Sequence, residues 1–351
     1  MTQPLPKEDL DFILERTRDL WQEMRGQSIF MTGGTGFFGT WMAESFVHAN
    51  RVEKLSAHLT ILTRNPQAFS HKCPHLASDP AIELLSGDVQ NFVFPEADFP
   101  CVIHLATETS GTLSSENPAG MLATILGGTE RTLQFAATHG TRKFLLASSG
   151  AVYGSQPPDL SHIPEEYIGA PNSLNPQSVY GEGKRVAELL CSLYAAKYGM
   201  ECKIARCFAF VGPHLPLNAH FAIGNFLRDA MRGDSIQIGG DGTPMRSYMY
   251  AADLAIWLWT ILFRAPSMEA FNVGSDQALS ILELAHSVAD ALGSSTQIHV
   301  ARQSLPGAPR AQYVPNVRKA ELLLGLRCEV SLPEAVRRTA AWHQRSCPQQ
   351  K

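Results

Sequence analysis

The chain of 351 residues has no excess of either charge: 29 Lys and Arg stand against 33 Asp and Glu, a net of −4. A near-neutral chain has no general attraction for nucleic acid or for an anionic membrane. It has no CxxC pair among its seven cysteines, Cys73, Cys101, Cys191, Cys202, Cys207, Cys328 and Cys347, and their number is odd. That excludes the usual zinc spacing and a disulfide framework, and points to thiols in a reducing cytosol. No GxSxG or HExxH occurs, so hydrolase and zincin readings lack their local signatures. The twelve histidines have no ligand spacing, and no metal is expected. The longest apolar run, Leu254 to Phe263, is half a membrane span and reads as a core helix. The charged start, MTQPLPKEDLDFILERTRDLWQEM, lacks the apolar centre of a signal peptide. A cytoplasmic location follows as an expectation, without repeats or low-complexity tracts.

What is present is an alternation. Residues 7–25 read as an amphipathic helix, with Leu10, Ile13, Leu14, Leu20, Trp21 and Met24 mostly on one stripe. Apolar strands are expected at Ser28–Thr32, at His58–Thr63, before Gly87-Asp88, at Cys101–Leu105, Lys143–Ala147 and Lys203–Phe208. Helical stretches near 38–49, 119–138, 253–263 and 281–292 lie between or after them. This is the pattern of an α/β protein with a Rossmann-type, doubly wound parallel sheet. Gly, Pro and polar residues crowd the second half, which reads as a smaller, loop-rich C-terminal substrate-binding region. The expected division has a helical extension at 1–27 and a dinucleotide-binding domain at 28–205 plus about 245–275. The substrate region takes about 206–244 plus 276–345.

Thr32-Gly33-Gly34-Thr35-Gly36-Phe37-Phe38-Gly39 follows a strand and opens a helix. Glycines at these spacings permit a sharp turn, close approach of a pyrophosphate and tight helix–strand contact. The helix N-terminus then offers free N–H groups to phosphate. Where NAD-binding chains usually carry an acid at the end of the second strand, this one has Thr63-Arg64-Asn65. Arg64 either meets the 2′-phosphate of NADP or is a solvated surface charge; NAD and NADP both stay open, with Arg64 favouring NADP slightly. Asp88 and Val89 are placed for the adenine end, or form an ordinary turn.

Tyr180 and Lys184 stand at i and i+4, which puts phenol and ammonium on one helix face. A nearby ammonium is expected to lower the phenol's pKa. Upstream, Ser148-Ser149-Gly150-Ala151-Val152-Tyr153-Gly154 leaves a strand end carrying a serine hydroxyl. Each piece alone is common. Their order, each at a strand end or helix start, is much more specific.

With TGGTGFFG, GDV, VIHLAT, SSGAVYG, YGEGK, RCFAFVGP, GGDGTPMRSYMYAADLA and RKAELLLGL in place, the chain resembles the extended short-chain dehydrogenase/reductase family, in its nucleotide-sugar epimerase/dehydratase branch. The resemblance implies Ser149, Tyr180 and Lys184 as a catalytic triad, Lys184 also holding the nicotinamide ribose. It implies a cofactor site of Gly33, Gly34, Thr35, Gly36, Phe37, Phe38, Gly39, Thr63, Arg64, Asp88, Val89, Leu105, Ala106, Thr107, Tyr180 and Lys184. It implies Arg246 and Arg310 on the diphosphate or ribose of a sugar nucleotide, which suits arginine's fixed fork of donors. Ser149 would touch the sugar, and Asn225 is a candidate amide for the same substrate.

The departures carry equal weight. The family's dehydratases have Asp-Glu after the catalytic hydroxyl, and its decarboxylases have Glu just before Val-Tyr-Gly; here those places are Gly150 and Ala151. Ala209 and Ile125 stand where asparagines are common. The expected activity is therefore an NAD(P)-dependent epimerase of a nucleotide-activated sugar, working through a keto intermediate. A 4-keto-sugar reductase or dehydratase is the alternative enzyme, and a cofactor-sensing regulatory protein the alternative outside catalysis. Surplus apolar residues are expected to build a homodimer across two helices. They are Val186, Leu189, Leu190, Leu193 and Tyr194 on one, and Met121, Leu122, Ile125, Leu126, Leu133 and Phe135 on the other.

Overall fold

Seven short apolar runs pair into one parallel sheet: β1 (Ser28–Thr32), β2 (His58–Thr63), β3 (Ile82–Ser86), β4 (Cys101–His104), β5 (Lys143–Ser149), β6 (Glu201–Cys207) and a last strand, Ala270–Val273. The computed structural model describes residues 2–107, 117–219, 221–304, 307 and 310–346. The strand order is Ala270–Val273, β6, β5, β4, β1, β2, β3. The order reverses between β1 and β4, whose carboxyl ends therefore open the crevice where such sheets bind ligands. Register places Thr32 beside His104, and Ser149 beside Cys207.

Both faces are covered, which is why the strands read as continuous apolar runs rather than alternating ones. Ile29, Met31, Ile103 and Leu145 point to one face. Helices Lys7–Thr17, Phe37–Val52 and Ala251–Arg264 cover it. Phe30, Val102, Phe144 and Leu146 point to the other, under helices Pro118–Thr138 and Val179–Tyr198, which lie against each other.

The N-terminal stripe does not form one helix. The α-helix ends at Thr17 and a tighter 3₁₀ segment runs from Arg18 to Met24. Thr17 Oγ1 donates back to Ile13 O (2.7 Å) and accepts from Trp21 Nε1 (3.1 Å). That turn sends Trp21 into the core, edge-on to Trp259 at 4.7 Å. Residues 7–24 thus pack as a further layer on the helices Phe37–Val52 and Ala251–Arg264. Asp9, also buried, accepts from Tyr250 Oη and from Arg338 Nη1, each at 2.7 Å. Burial pushes its carboxyl up, and these two donors oppose the shift.

The loop-rich half forms a small sheet. Met245–Arg246 lies between Leu279–Ser280 and Gln312–Tyr313. It stands over the carboxyl ends of β5 and β6, and this brings Tyr313 to Ser149.

Candidate active site

Gly33 adopts φ +72°, and a Cβ there would lie 2.6 Å from the backbone of Leu105 and Ala106. At Gly39 a Cβ would lie 2.3 Å from Gly34 Cα. Glycine is required at both, because the loop touches the β4 end and the helix sits directly on the turn. A Cβ at Gly36, by contrast, would meet only Gly33 O at 3.4 Å, so this side of the loop is open. No side chain caps the helix that starts at Phe37. Its first-turn N–H groups and its dipole face the β1/β4 crevice, a donor set that fits a pyrophosphate.

The β2 end carries no acid. Asn65 is committed locally, its Oδ1 accepting from Ala68 N at 2.9 Å to cap the next helix. Arg64, exposed, is the charged residue there. Asp88 Oδ1 accepts from Gln90 N at 2.9 Å, which makes Gly87-Asp88 a capped turn. Val89 lies against Gly128 of the Pro118–Thr138 helix, where a Cβ would come within 2.8 Å of it. Lys72 Nζ reaches Thr35 O at 3.1 Å, a cation at the loop that sequence reading missed.

Ser149 is the last residue of β5 and caps the short turn Gly150–Tyr153, its Oγ accepting from Ala151 N at 3.1 Å. Tyr180 is the second residue of the Val179–Tyr198 helix, within hydrogen-bonding reach of Ser149. Lys184, one turn on and buried, donates to Thr107 Oγ1 (2.6 Å) and to Ala147 O (2.7 Å). The spacing of Tyr180 and Lys184 therefore does bring both to the sheet's carboxyl edge.

The expected acidification of the phenol is not present. Burial pushes Tyr180 up to about 12, the Ser149 bond pulling it partly back. The ammonium lies 6.0 Å from the ring centroid, tied to Thr107 and Ala147, and burial brings Lys184 down to about 8. Desolvation outweighs the charge pair because both groups are enclosed. His104 supports the same edge from β4, bridging Thr32 Oγ1 (2.7 Å) and Thr129 Oγ1 (3.2 Å). Burial, and then the Lys184 charge, bring it down to about 3, so it stays neutral. Below Ser149, Ser148 donates to Glu188 (2.5 Å), which also takes a two-pronged bond from Arg206 at 3.0 and 2.7 Å. This network ties the Tyr180 helix to β5 and β6.

The family model described as the NAD dependent epimerase/dehydratase family matches residues 29–274. The chain belongs to this family. UDP-glucuronic acid decarboxylase 1 of Xenopus tropicalis is 31% identical over 92% of this chain and 73% of its own length. UDP-glucuronic acid decarboxylase 5 of Arabidopsis thaliana is 30% identical over 88% of this chain and 86% of its own. A UDP-glucuronic acid 4-epimerase structure from Bacillus cereus, in complex with UDP-glucuronic acid and NAD, shares the fold. Its TM-score is 0.77 at 22% identity, over 91% of this chain and 99% of that one. Family membership makes the protein an NAD-dependent enzyme of the epimerase/dehydratase type.

Other expected residues fall less simply. Arg246 is half-buried, its Nη1 donating to Met245 O at 2.8 Å and its guanidinium 5.9 Å from the Tyr313 ring centroid. Arg310 is exposed at the start of the neighbouring strand. Asn225, in the first turn of helix Ala222–Arg232, has its Oδ1 engaged by Arg228 Nη1 of that helix at 3.1 Å. The arginine occupies the amide oxygen and leaves the Nδ2 donors for a ligand. The residue that sequence reading missed is Tyr313. Its Oη lies 3.5 Å from Ser149 Oγ and 3.5 Å from Cys207 O, with its ring 4.6 Å from that of Phe208. No local pattern marks it; only the pairing of Gln312–Tyr313 with Met245–Arg246 delivers it.

Proposed function

We propose that the protein is an NAD(P)-dependent epimerase of a nucleotide-activated sugar. The observation that carries this reading is the surroundings of Gly150. A Cβ at 150 would lie 2.7 Å from Phe208 Cζ and 2.8 Å from Tyr313 Oη. Any side chain there would have to displace Phe208 and Tyr313, and Ala151 supplies no acid. The relatives named as decarboxylases favour decarboxylation, but the chain lacks the acid that its family resemblance attaches to that branch.

The cofactor's pyrophosphate would be held by Gly33–Gly39, its adenosine end by Thr63, Arg64, Asp88 and Val89, and its ribose by Lys184 beside Leu105–Thr107. Arg64, together with the missing acid, favours NADP over NAD. The bound dinucleotide supplies reversible hydride acceptance. Tyr180 takes the proton of the reacting sugar hydroxyl and later returns it, at an oxygen that Ser149 also hydrogen-bonds. Lys184 keeps a positive charge at the edge where the phenolate forms. Arg246, near the Tyr313 ring, and Arg310, just before the Gln312–Tyr313 strand, would meet the nucleotide diphosphate.

The proposed assembly is a homodimer through the Val179–Tyr198 helix. Val186, Leu189 and Leu193 are 38%, 57% and 57% exposed there. The partner helix contributes less than expected, because Met121, Ile125, Leu133 and Phe135 are buried within the chain.

Incubation with NAD or NADP and UDP-glucuronic acid, then UDP-glucose, tests the reading. The expected product is an epimer, with no carbon dioxide and no stoichiometric change in reduced cofactor. Released carbon dioxide would establish decarboxylation instead, and stoichiometric oxidation of NADPH by a 4-keto sugar nucleotide would establish a reductase.

A further inference from the structure

A serine hydroxyl has one proton and two lone pairs. One lone pair of Ser149 is filled by the Ala151 N–H at 3.1 Å. The Tyr313 hydroxyl stands 3.5 Å away, at the outer limit of hydrogen-bonding distance, where it can approach the second. It can stand there only because residue 150 is glycine, since a Cβ would fall 2.8 Å from Tyr313 Oη. With both lone pairs filled, the Ser149 proton has one direction left, toward the oxygen that Tyr180 faces. We propose that Tyr313 is a positioning residue of this site: it donates to Ser149, and so aims the Ser149 proton at the reacting oxygen. The inference rests on Tyr180 and Ser149 acting as proposed above.

The competing arrangement is explicit. Cys207 O is equally distant from Tyr313 Oη, at 3.5 Å. If Tyr313 donated there, its oxygen would draw the Ser149 proton and Tyr180 would lose it. The two arrangements predict opposite signs. Burial holds the Tyr313 phenol well above its ordinary value, so it is a donor throughout the working range. The charged and titratable groups around the Tyr180–Tyr313 pair are Lys184, Arg246 and Cys207.

Tyr313→Phe removes one oxygen and keeps the ring on Phe208. Three readouts are compared with those of the wild type: melting temperature, steady-state kinetics on whichever of UDP-glucuronic acid and UDP-glucose is turned over, and ultraviolet difference titration of the NAD-loaded protein. Subtracting Tyr180→Phe from the titration isolates the Tyr180 phenolate. The expected outcome is an unchanged melting temperature, KM within about twofold and kcat lower by roughly three- to tenfold, the worth of one neutral hydrogen bond. The Tyr180 phenolate should also appear at higher pH, by about half a unit. A shift to lower pH, or no shift with wild-type kcat, overturns the role of Tyr313. If that occurs while Tyr180→Phe is inactive, the epimerase reading survives. An active Tyr180→Phe removes both.

Discussion

On one face of the sheet Trp21 meets Trp259 at 4.7 Å, Trp41 meets Tyr250 at 5.6 Å, and Asp9 is held between Tyr250 and Arg338. On the other face the Val179–Tyr198 helix shows Leu189 and Leu193, each 57% exposed, to solvent. The first face is closed three layers deep, because residues 7–24 cover the helix Ala251–Arg264 that covers the strands. The second face stops at two layers and carries Tyr180 and Lys184. The larger apolar cluster therefore lies on the face away from Tyr180 and Lys184. The Val179–Tyr198 helix is tied to the strands through Lys184, Glu188 and Arg206, and its outer apolar stripe is exposed.

The sharpest way to break this contrast is Trp21→Ala. Loss of a large buried ring should cost ~3–5 kcal/mol in denaturant unfolding. Turnover per folded molecule should hardly change, because no contact of Trp21 reaches the crevice. Equal losses of activity and stability would show the two faces to be coupled. Tyr180→Phe is the converse. Turnover should fall by roughly 10²-fold or more, the scale of positioned proton transfer, with the unfolding midpoint unchanged. Near-normal turnover would move the chemistry off this face. The smallest effect is expected from Leu189→Asp combined with Leu193→Asp. Light scattering should change from a two-chain to a one-chain mass, with little change in the stability of the fold itself. A wild type that is already monomeric and fully active would leave the outer stripe of the helix without that role.

Much of the fold was legible because parallel strands announce themselves as apolar runs. β1 and β2 have the bounds that their residues predict, and the glycine loop lies between β1 and its helix as spacing requires. The Tyr180–Lys184 spacing also brings both groups to the carboxyl edge of the sheet. What a linear pattern does not hold is the partner of each group. The amphipathic stripe at Leu20 and Trp21 signalled burial without saying against what. The tyrosine's acidity was misjudged because i, i+4 spacing reports proximity, whereas enclosure decides the sign. Thr107 was read as a cofactor contact, and the structure gives it to Lys184 as well. Tyr313 was invisible because it arrives through strand pairing from the loop-rich half. Cys347 lies outside the described residues.

The Asp9–Arg338 bond joins positions 329 residues apart, with Tyr250 donating to the other oxygen of the same carboxylate. A ribosome makes the carboxylate long before its cation. Until then the sheet can form and residues 7–24 can dock through Ile13, Leu14, Leu20 and Trp21, but the joint at Asp9 lacks its cation. Closure of this joint is thus a late folding event, and contacts of such long sequence separation are slow to form. Trp21 and Trp259 can meet before the joint closes, so the apolar part of this face can close ahead of that ion pair.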